Sequence, residues 1–171
     1  STRRSRTAIS LVLGWWLALP AESWRMFSLL RHGIPFGESD PYMEMDLGFF
    51  VYWLPVESML YYRTLTTVLF ATVVVIFFYA LTPSLRWDRG ALYVSHYVRR
   101  HLAALGAVLL LLLAWSYRLD IYESLLFGSG PGGAFSYSDH RTIIPVSIWL
   151  AYLTAGTALV VFYFGWIGQV R

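Results

Sequence analysis

The chain has no cysteine, lysine or asparagine, and it is poor in charge of either sign. Without cysteine it can form neither a disulfide nor a cysteine-ligated metal centre. Without lysine it cannot form a Schiff base or a lysine-containing phosphate loop, and its 13 basic residues are all arginine. Only 13% of the residues are charged, whereas about 25% is usual in soluble proteins. This is too little charge to cover a soluble domain of 171 residues.

Apolar and aromatic residues dominate the composition. Hydrophobic residues make up 57% of the chain and aromatic residues 18%, against about 45–50% apolar residues in soluble proteins. A chain with so much apolar surface does not remain disordered in water. The net charge of +3 does not indicate a nucleic-acid partner, because the arginines are dispersed between apolar segments. We therefore predict an integral membrane protein.

Hydropathy predicts an all-α integral membrane fold with four transmembrane helices in a single membrane domain, residues 1–171. The spans cover approximately residues 8–30, 56–81, 102–117 and 143–167. Each reaches or approaches the roughly 20 residues that a helix needs to cross about 30 Å of hydrocarbon. Helices are expected because lipid offers no hydrogen-bond partner to backbone groups.

The first span is the least regular of the four, because Pro20, Glu22 and Arg25 interrupt it. Its basic start and apolar run also resemble a signal peptide. No clean small-residue cleavage site follows the apolar run, so we expect an uncleaved span.

The distribution of arginine predicts that both termini are cytoplasmic. One side of the predicted membrane carries a single acid, Asp88, and eight arginines: Arg3, Arg4, Arg6, Arg86, Arg89, Arg99, Arg100 and Arg171. The positive-inside rule therefore places the loop at 82–101 in the cytoplasm, and the acidic loops at 31–55 and 118–142 outside. The bacterial inner membrane is the expected location.

The first outer loop contains two further patterns. Asp40 precedes Pro41, which is typical of a helix start because the acid accepts amide hydrogens and proline fits the first turn. The stretch from Leu47 to Leu54 is aromatic and amphipathic, which predicts an interfacial segment at the level of the lipid headgroups.

Three ordered motifs in the outer loops resemble the uncharacterised protein family number 182, a group of large bacterial multi-pass membrane proteins. The first motif consists of Gly33, Pro35, Phe36, Gly37, Asp40, Pro41, Asp46, Gly48, Phe49, Leu54 and Pro55. The second includes Tyr117, Asp120, Tyr122, Glu123 and Phe127, and the third includes Gly133, Tyr137, Asp139 and Pro145. The resemblance covers roughly residues 24–159.

This resemblance implies a membrane architecture and supplies no chemistry, because the family has no established activity. Its members are typically several times longer than this chain. The resemblance therefore implies that the chain corresponds to an internal block of the family's membrane part, either as a reduced relative or as a segment.

Charged residues near the predicted spans are the first candidate functional residues. Glu22 and Arg25 are three residues apart on one helix and can pair, and Glu57 and Arg63 lie at the outer end of the second span. We favour a structural or inter-subunit role for these pairs over an ion pathway, because long side chains near a span end can reach the interface.

The four histidines give only weak candidates for ligand binding. None lies in the middle of a span, where a haem or chlorophyll ligand is usual, so pigment ligation by His101 is a weak hypothesis. His32, Asp40, Asp139 and His140 are all predicted to lie outside and are weak candidates for a metal site, since they lack a tight ligand spacing. Polar loop residues are the simpler interpretation, and no metal is predicted.

The cytoplasmic arginines suggest contacts with lipid. Arg86, Arg89, Arg99 and Arg100 alternate with aromatic residues and can attract anionic headgroups, although anchoring of the topology explains them equally well. In the fourth span, Ala151, Ala155, Gly156 and Ala158 permit close approach of another helix.

No set of residues indicates catalysis. Ser136, Ser138, Asp139 and His140 are adjacent in sequence but form no nucleophile elbow, and the glycine-rich stretch at 128–133 lacks the end of a phosphate loop. We therefore predict a non-enzymatic accessory subunit of a larger bacterial membrane complex, with photosynthetic or respiratory assemblies as the class to examine first. The expected partners are other integral membrane subunits and lipids. No cofactor of its own is predicted, beyond peripheral contacts with lipid or pigment. The alternative is the membrane module of a transporter or channel.

Overall fold

The computed structural model describes residues 7, 10, 14, 23–82, 85–88 and 91–167. The chain divides into two compact units, residues 1–57 and 58–171, and each is described here by itself. Helices account for most of the described residues of the second unit.

The first unit contains one short helix and an ordered loop. Helix α1 covers Ser23–His32 and contacts a π-helical turn at Phe49–Trp53. A Cβ on Gly33, just after α1, would lie 2.6 Å from the Tyr52 ring and 2.8 Å from the Leu29 carbonyl oxygen. Glycine at this position therefore lets the loop pass close to the turn. The predicted interfacial segment forms this π-helical turn and continues directly into the next helix.

Helix α2 covers Leu54–Ala80 and contains no acidic or basic residue from residue 64 onwards. Pro55 lies where the π-helical turn passes into α2, and it has no amide hydrogen to donate to the preceding turn. Its threonine hydroxyls are bonded within the helix, because they donate to carbonyls four residues earlier at 2.7–2.9 Å, at Thr64, Thr66, Thr67 and Thr72. The helix therefore presents few unpaired polar groups to lipid.

A β-hairpin connects α2 to the next helix. Strand β1, Leu85–Asp88, pairs antiparallel with β2, Ala91–Val94, so that Leu85 faces Val94 and Asp88 faces Ala91. The hydropathy analysis predicts only a cytoplasmic loop at 82–101. Strands of four residues are too short to register in a window of about 19 residues.

Helices α3, His96–Leu126, and α4, Ile144–Ile167, pack against each other in the second unit. Buried positions on the two helices include Ala107, Leu112 and Ala158. Helix α3 continues nine residues past the predicted span end at 117, so Arg118, Asp120 and Glu123 are helical although predicted in a loop. The predicted span ends early because these charged residues lower the mean hydropathy, although the backbone continues to form helical hydrogen bonds.

Three helical stretches in the described residues are long and apolar enough to cross a membrane: Phe49–Ala80, His96–Leu126 and Asp139–Ile167. They correspond to the second, third and fourth predicted spans. The first predicted span, 8–30, lies mostly outside the described residues, and α1 covers its last part. The described chain thus has the character of a helical membrane protein.

Candidate functional site

A polar cluster in the second unit is built around Asp139, which is 1% exposed. Its Oδ2 atom accepts hydrogen bonds from the Ser129 amide at 2.9 Å, the Ser136 amide at 2.7 Å and the Ser136 hydroxyl at 2.9 Å. Among the described residues, nothing donates to its Oδ1 atom, which is also buried. One oxygen of this carboxylate therefore holds the loop together.

The loop between α3 and α4 is folded by its own backbone. The Gly128 amide donates to the Gly133 carbonyl at 2.9 Å and the Gly130 amide to the Ala134 carbonyl at 2.9 Å. Gly132 and Gly133 have φ angles of 70° and 80°, which side chains disfavour. The glycine-rich stretch therefore forms a compact turn that brings Ser129 to Asp139.

An open cleft of about 320 Å³ lies beside this loop. Three acidic residues border it: Asp120 and Glu123 from the end of α3, and Asp139. Glu123 also accepts a hydrogen bond from the Ser58 hydroxyl at 2.9 Å, which connects α2 to α3. None of the described residues that border the cleft is basic.

The first unit contains a second carboxylate that organises a loop. Asp46 Oδ1 accepts the amides of Gly48 at 2.6 Å and Phe36 at 3.2 Å, and Oδ2 accepts the amide of Gly37 at 3.0 Å. The Gly48 amide lowers the pKa of Asp46 most, the Gly37 and Phe36 amides lower it further, and burial opposes them. A Cβ on Gly48 would lie 2.7 Å from Asp46 Oδ1, so this arrangement favours glycine.

Asp40 closes a turn in the same loop. Its Oδ2 atom accepts the amides of Tyr42 at 2.9 Å and Met43 at 2.8 Å. The expected helix start at this position is wrong, because residues 41–43 form a turn and Glu44 adopts a φ of 56°. The carboxylate acts on amides as predicted, but no helix follows.

The weak metal candidates do not form a cluster. No group of three His, Asp or Glu side chains in the described part of the chain could hold a metal ion. Instead, His32 Nδ1 lies 3.0 Å from the Ser28 carbonyl oxygen one turn earlier in α1. The exposed His140 contacts the Phe135 ring edge to face at 6.4 Å. Asp40 and Asp139 bind backbone amides, as described above.

The structure describes three of the four ion-pair candidates, Arg25, Glu57 and Arg63. Glu22 lies outside the described residues, and Arg25 is exposed with its guanidinium 5.8 Å from the Trp24 ring centroid. Glu57 is 9% exposed and accepts a hydrogen bond from Trp53 Nε1 at 3.0 Å. Arg63 is half-buried on α2. Trp53 and Glu57, four residues apart, thus connect the π-helical turn to α2.

Side chains at the start of α3 connect the three long helices. The Tyr79 hydroxyl of α2 lies 2.8 Å from His101 Nδ1. Arg100 Nε donates to the Trp166 carbonyl of α4 at 3.0 Å, and its guanidinium lies 5.1 Å from the Trp166 ring. The pigment candidate His101 therefore has an interhelical contact.

The other arginines that are candidates for lipid contacts lie in different parts of the chain. Arg99 lies 3.0 Å from His96 Nδ1 within the first turn of α3. Arg86 is in β1, and Arg89 lies outside the described residues.

Sequence reasoning missed two groups of residues. Asp46 and Ser129 lie in polar loops. Their positions in the sequence do not show which distant backbone amides or carboxylates they bind. Gly165 lies directly against Ala103, and a Cβ added to it would overlap the Ala103 methyl group. The signal for Gly165 is its spacing of seven residues from the small residue Ala158, which places both on one helix face.

The chain is similar to a family model over its whole length and to known proteins over most of it. It matches the model of the Uncharacterised protein family (UPF0182) over residues 1–171. A UPF0182 protein of Synechococcus sp. (strain JA-3-3Ab) is 34% identical over 152 residues, which cover 86% of this chain and 18% of the relative. A UPF0182 protein of Geobacter sulfurreducens is 34% identical over 167 residues, 95% of this chain and 18% of the relative. One from Kocuria rhizophila is 30% identical over 163 residues, 95% of this chain and 17% of the relative.

No solved structure matches the chain. The chain spans less than a fifth of the length of these curated relatives, at 17% or 18% of each. The match over all 171 residues confirms the resemblance carried by the loop motifs, and the chain therefore belongs to the uncharacterised protein family UPF0182.

Proposed function

We propose that this chain is a non-catalytic packing module of a larger bacterial membrane assembly. The main support is the absence of acidic and basic residues from the sequence at 64–80, 102–117 and 144–167. Transport normally needs polar groups or broken helices within the membrane. Helices without such groups are suited to packing against lipid or against other helices.

The two faces of α4 support the same proposal. One face packs on α3 and includes the buried residues Ser147 and Ala158. The other face is rich in exposed aromatic side chains, including Trp149, Tyr152 and Tyr163. Rigid aromatic groups provide a large contact area for partner helices or for lipid.

In this proposal the chain has four spans, with both termini in the cytoplasm of the bacterial inner membrane. The arginine distribution supports it, and α1 is then the last part of the first span. The absence of cysteine allows a direct test with single-cysteine variants. Tyr97, 83% exposed, would be cytoplasmic, and Tyr137, 77% exposed, would be outside.

The experiment labels intact cells with a membrane-impermeant maleimide. Tyr137→Cys should be labelled at once, whereas Tyr97→Cys should be labelled only after the membrane is permeabilised. The reverse pattern would invert the proposed topology, and equal labelling of both positions would contradict an odd number of spans between them.

The proposed partners are other integral membrane subunits, with photosynthetic and respiratory assemblies the first class to examine. Purification from the native membrane in a gentle detergent, followed by mass spectrometry, should find such subunits in stoichiometric amounts. A protein that migrates alone, or with lipid only, would contradict the packing role.

One observation favours the alternative of a transporter or channel module. Glu57 is almost completely buried at the start of α2, and an ionisable group near a membrane span is a candidate for an ion pathway. A Glu57→Gln variant in proteoliposomes separates the two functions. If the chain is a packing module, neither the wild type nor the variant should show an ion flux. If it forms an ion pathway, the wild type should show a flux that the variant reduces.

A further inference from the structure

We propose that an open groove on the last turns of α4, together with Arg100 of α3, binds an anionic phospholipid of the bilayer. The groove has a volume of about 590 Å³, a size common among sites for small ligands. The described residues that border it are all apolar or aromatic and lie between Leu159 and Ile167 of α4. In this site an acyl chain occupies the groove and the phosphate contacts Arg100.

The position of the groove fits an acyl chain of one leaflet. Leu159 and Trp166, which both border the groove, are seven residues apart, and this spacing corresponds to about 10 Å along a helix. One leaflet contributes about half of the roughly 30 Å hydrocarbon core. Leu159 and Tyr163 are exposed, so a lipid chain reaches them without any movement of α3. The groove therefore extends from the end of α4 through most of one leaflet.

Arg100 supplies a cation at the end of the groove that lies at the membrane interface. Trp166 borders the groove, and the Arg100 guanidinium carbon lies 5.1 Å from the centroid of its ring. Arg100 Nε donates to the Trp166 carbonyl oxygen at 3.0 Å. Its two Nη atoms have no hydrogen-bond partner among the described residues, and they are not buried. A guanidinium held in this way can donate from both Nη atoms to two oxygens of one phosphate.

The charges at this end of the helices favour an anionic ligand. Residues 82–101 contain four arginines and a single acid, Asp88. The first turn of α3 contains no acidic residue, and neither does the whole of α4. A partner helix can also cover an apolar groove, but an anionic phospholipid brings an apolar chain and a negative charge in one molecule. The arginine beside the groove therefore favours lipid as the occupant.

The proposal requires that α3 and α4 cross the membrane, and it does not require the packing role. The experiment is native mass spectrometry of the full chain, released from micelles that contain equal amounts of phosphatidylglycerol and phosphatidylcholine. The two lipids carry the same acyl chains and differ only in the headgroup. The wild type should retain one phosphatidylglycerol molecule with a preference of about fivefold, the contribution expected from one arginine near an anionic headgroup.

Variants of Arg100 test the contact with the headgroup. Arg100→Gln should remove most of the preference, whereas Arg100→Lys should retain most of it because the charge remains. Arg118→Gln is the matched control, since it removes an arginine from the other end of α3. The Arg118 guanidinium also lies against a ring, 5.3 Å from that of Tyr122. This control should prefer phosphatidylglycerol as strongly as the wild type does.

Leu159→Ser tests the groove and leaves Arg100 intact. Leu159 is 69% exposed, so its replacement should not disturb the packing of α4 on α3. The variant should weaken retention of both lipids by about fivefold, because it removes apolar surface from the contact with the acyl chain. Leu153→Ser is the matched control, since Leu153 is 62% exposed on the same helix and does not border the groove. It should retain lipid like the wild type.

The proposal is overturned if the wild type retains neither lipid or retains both equally. It is also overturned if either control variant loses as much as its partner, Arg118→Gln beside Arg100→Gln or Leu153→Ser beside Leu159→Ser. A dimer without bound lipid would overturn it as well, because a second copy would then cover the groove. None of these results bears on the packing role, which is tested by the protein subunits that co-purify with the chain.

Discussion

Gly165 of α4 lies directly against Ala103 of α3, so closely that a Cβ on the glycine would overlap the Ala103 methyl group. These helices form the principal interhelical contact of the second unit. In lipid, helices associate through close packing because the surrounding acyl chains are as apolar as the side chains. The glycine therefore permits a close approach that any other residue would prevent.

Gly165→Val is expected to destabilise the protein by about 1–3 kcal/mol, the usual cost of inserting volume into a close contact. The measurement is reversible unfolding in detergent micelles. Gly156→Val is the matched control, because a Cβ at Gly156 has no described atom within 4 Å and the residue lies on the same helix. If both variants lose the same stability, the loss comes from the helix propensity of valine and not from the contact with Ala103.

The contact face of α4 was only partly predictable from the sequence. Ala158 is 1% exposed, and Ala151 and Ala155 are half-buried, as expected of small residues at a helix contact. Gly156 is exposed, because two residues correspond to about 200° of rotation from Ala158. A small residue predicts a helix contact only when it lies on the side of the helix that faces the neighbour. Gly165 lies on the same face of α4 as Ala158.

The long helices could be predicted because their apolar composition and their length identify them in the sequence. The end of α3 could not, since hydropathy falls at Arg118 although the helix continues to Leu126. The loops were also less predictable. The sequence correctly indicated that Asp40 accepts amide hydrogens. The hydrogen bond between Asp139 and Ser129, ten residues away, depends on how the glycine-rich turn closes. Local sequence spacing does not predict that closure.

Acidification is expected to remove the contribution of Asp46 to stability. The amides of Gly48, Gly37 and Phe36 lower its pKa from 3.8 against the opposing effect of burial. A carboxyl with a lower pKa in the folded state stabilises the protein above its unfolded-state pKa. That stability is lost as the pH falls through the folded-state pKa. Thermal unfolding between about pH 6 and pH 2 measures this loss.

Asp46→Asn should lower the melting temperature near neutral pH and show a smaller decrease in acid than the wild type. Glu38→Gln changes the net charge equally and removes an exposed acid from the same loop, so it should retain the dependence of the wild type. An acid dependence that is identical in Asp46→Asn and the wild type would show that the three amides do not favour the charged carboxylate.

Arg100 is expected to fasten the end of α4 in a way that lysine cannot reproduce. Its Nε atom donates to the Trp166 carbonyl at 3.0 Å while the guanidinium lies 5.1 Å from the same ring. A planar guanidinium can make both contacts at once, whereas an ammonium is a compact point charge. Arg100→Lys should cost about 1 kcal/mol and speed amide hydrogen exchange in the last turn of α4. Arg141→Lys, in the helical turn that leads into α4, preserves the charge balance and should leave that exchange unchanged. Equal protection of the last turn in Arg100→Lys and the wild type would show that side-chain charge alone, and not the guanidinium geometry, holds Trp166.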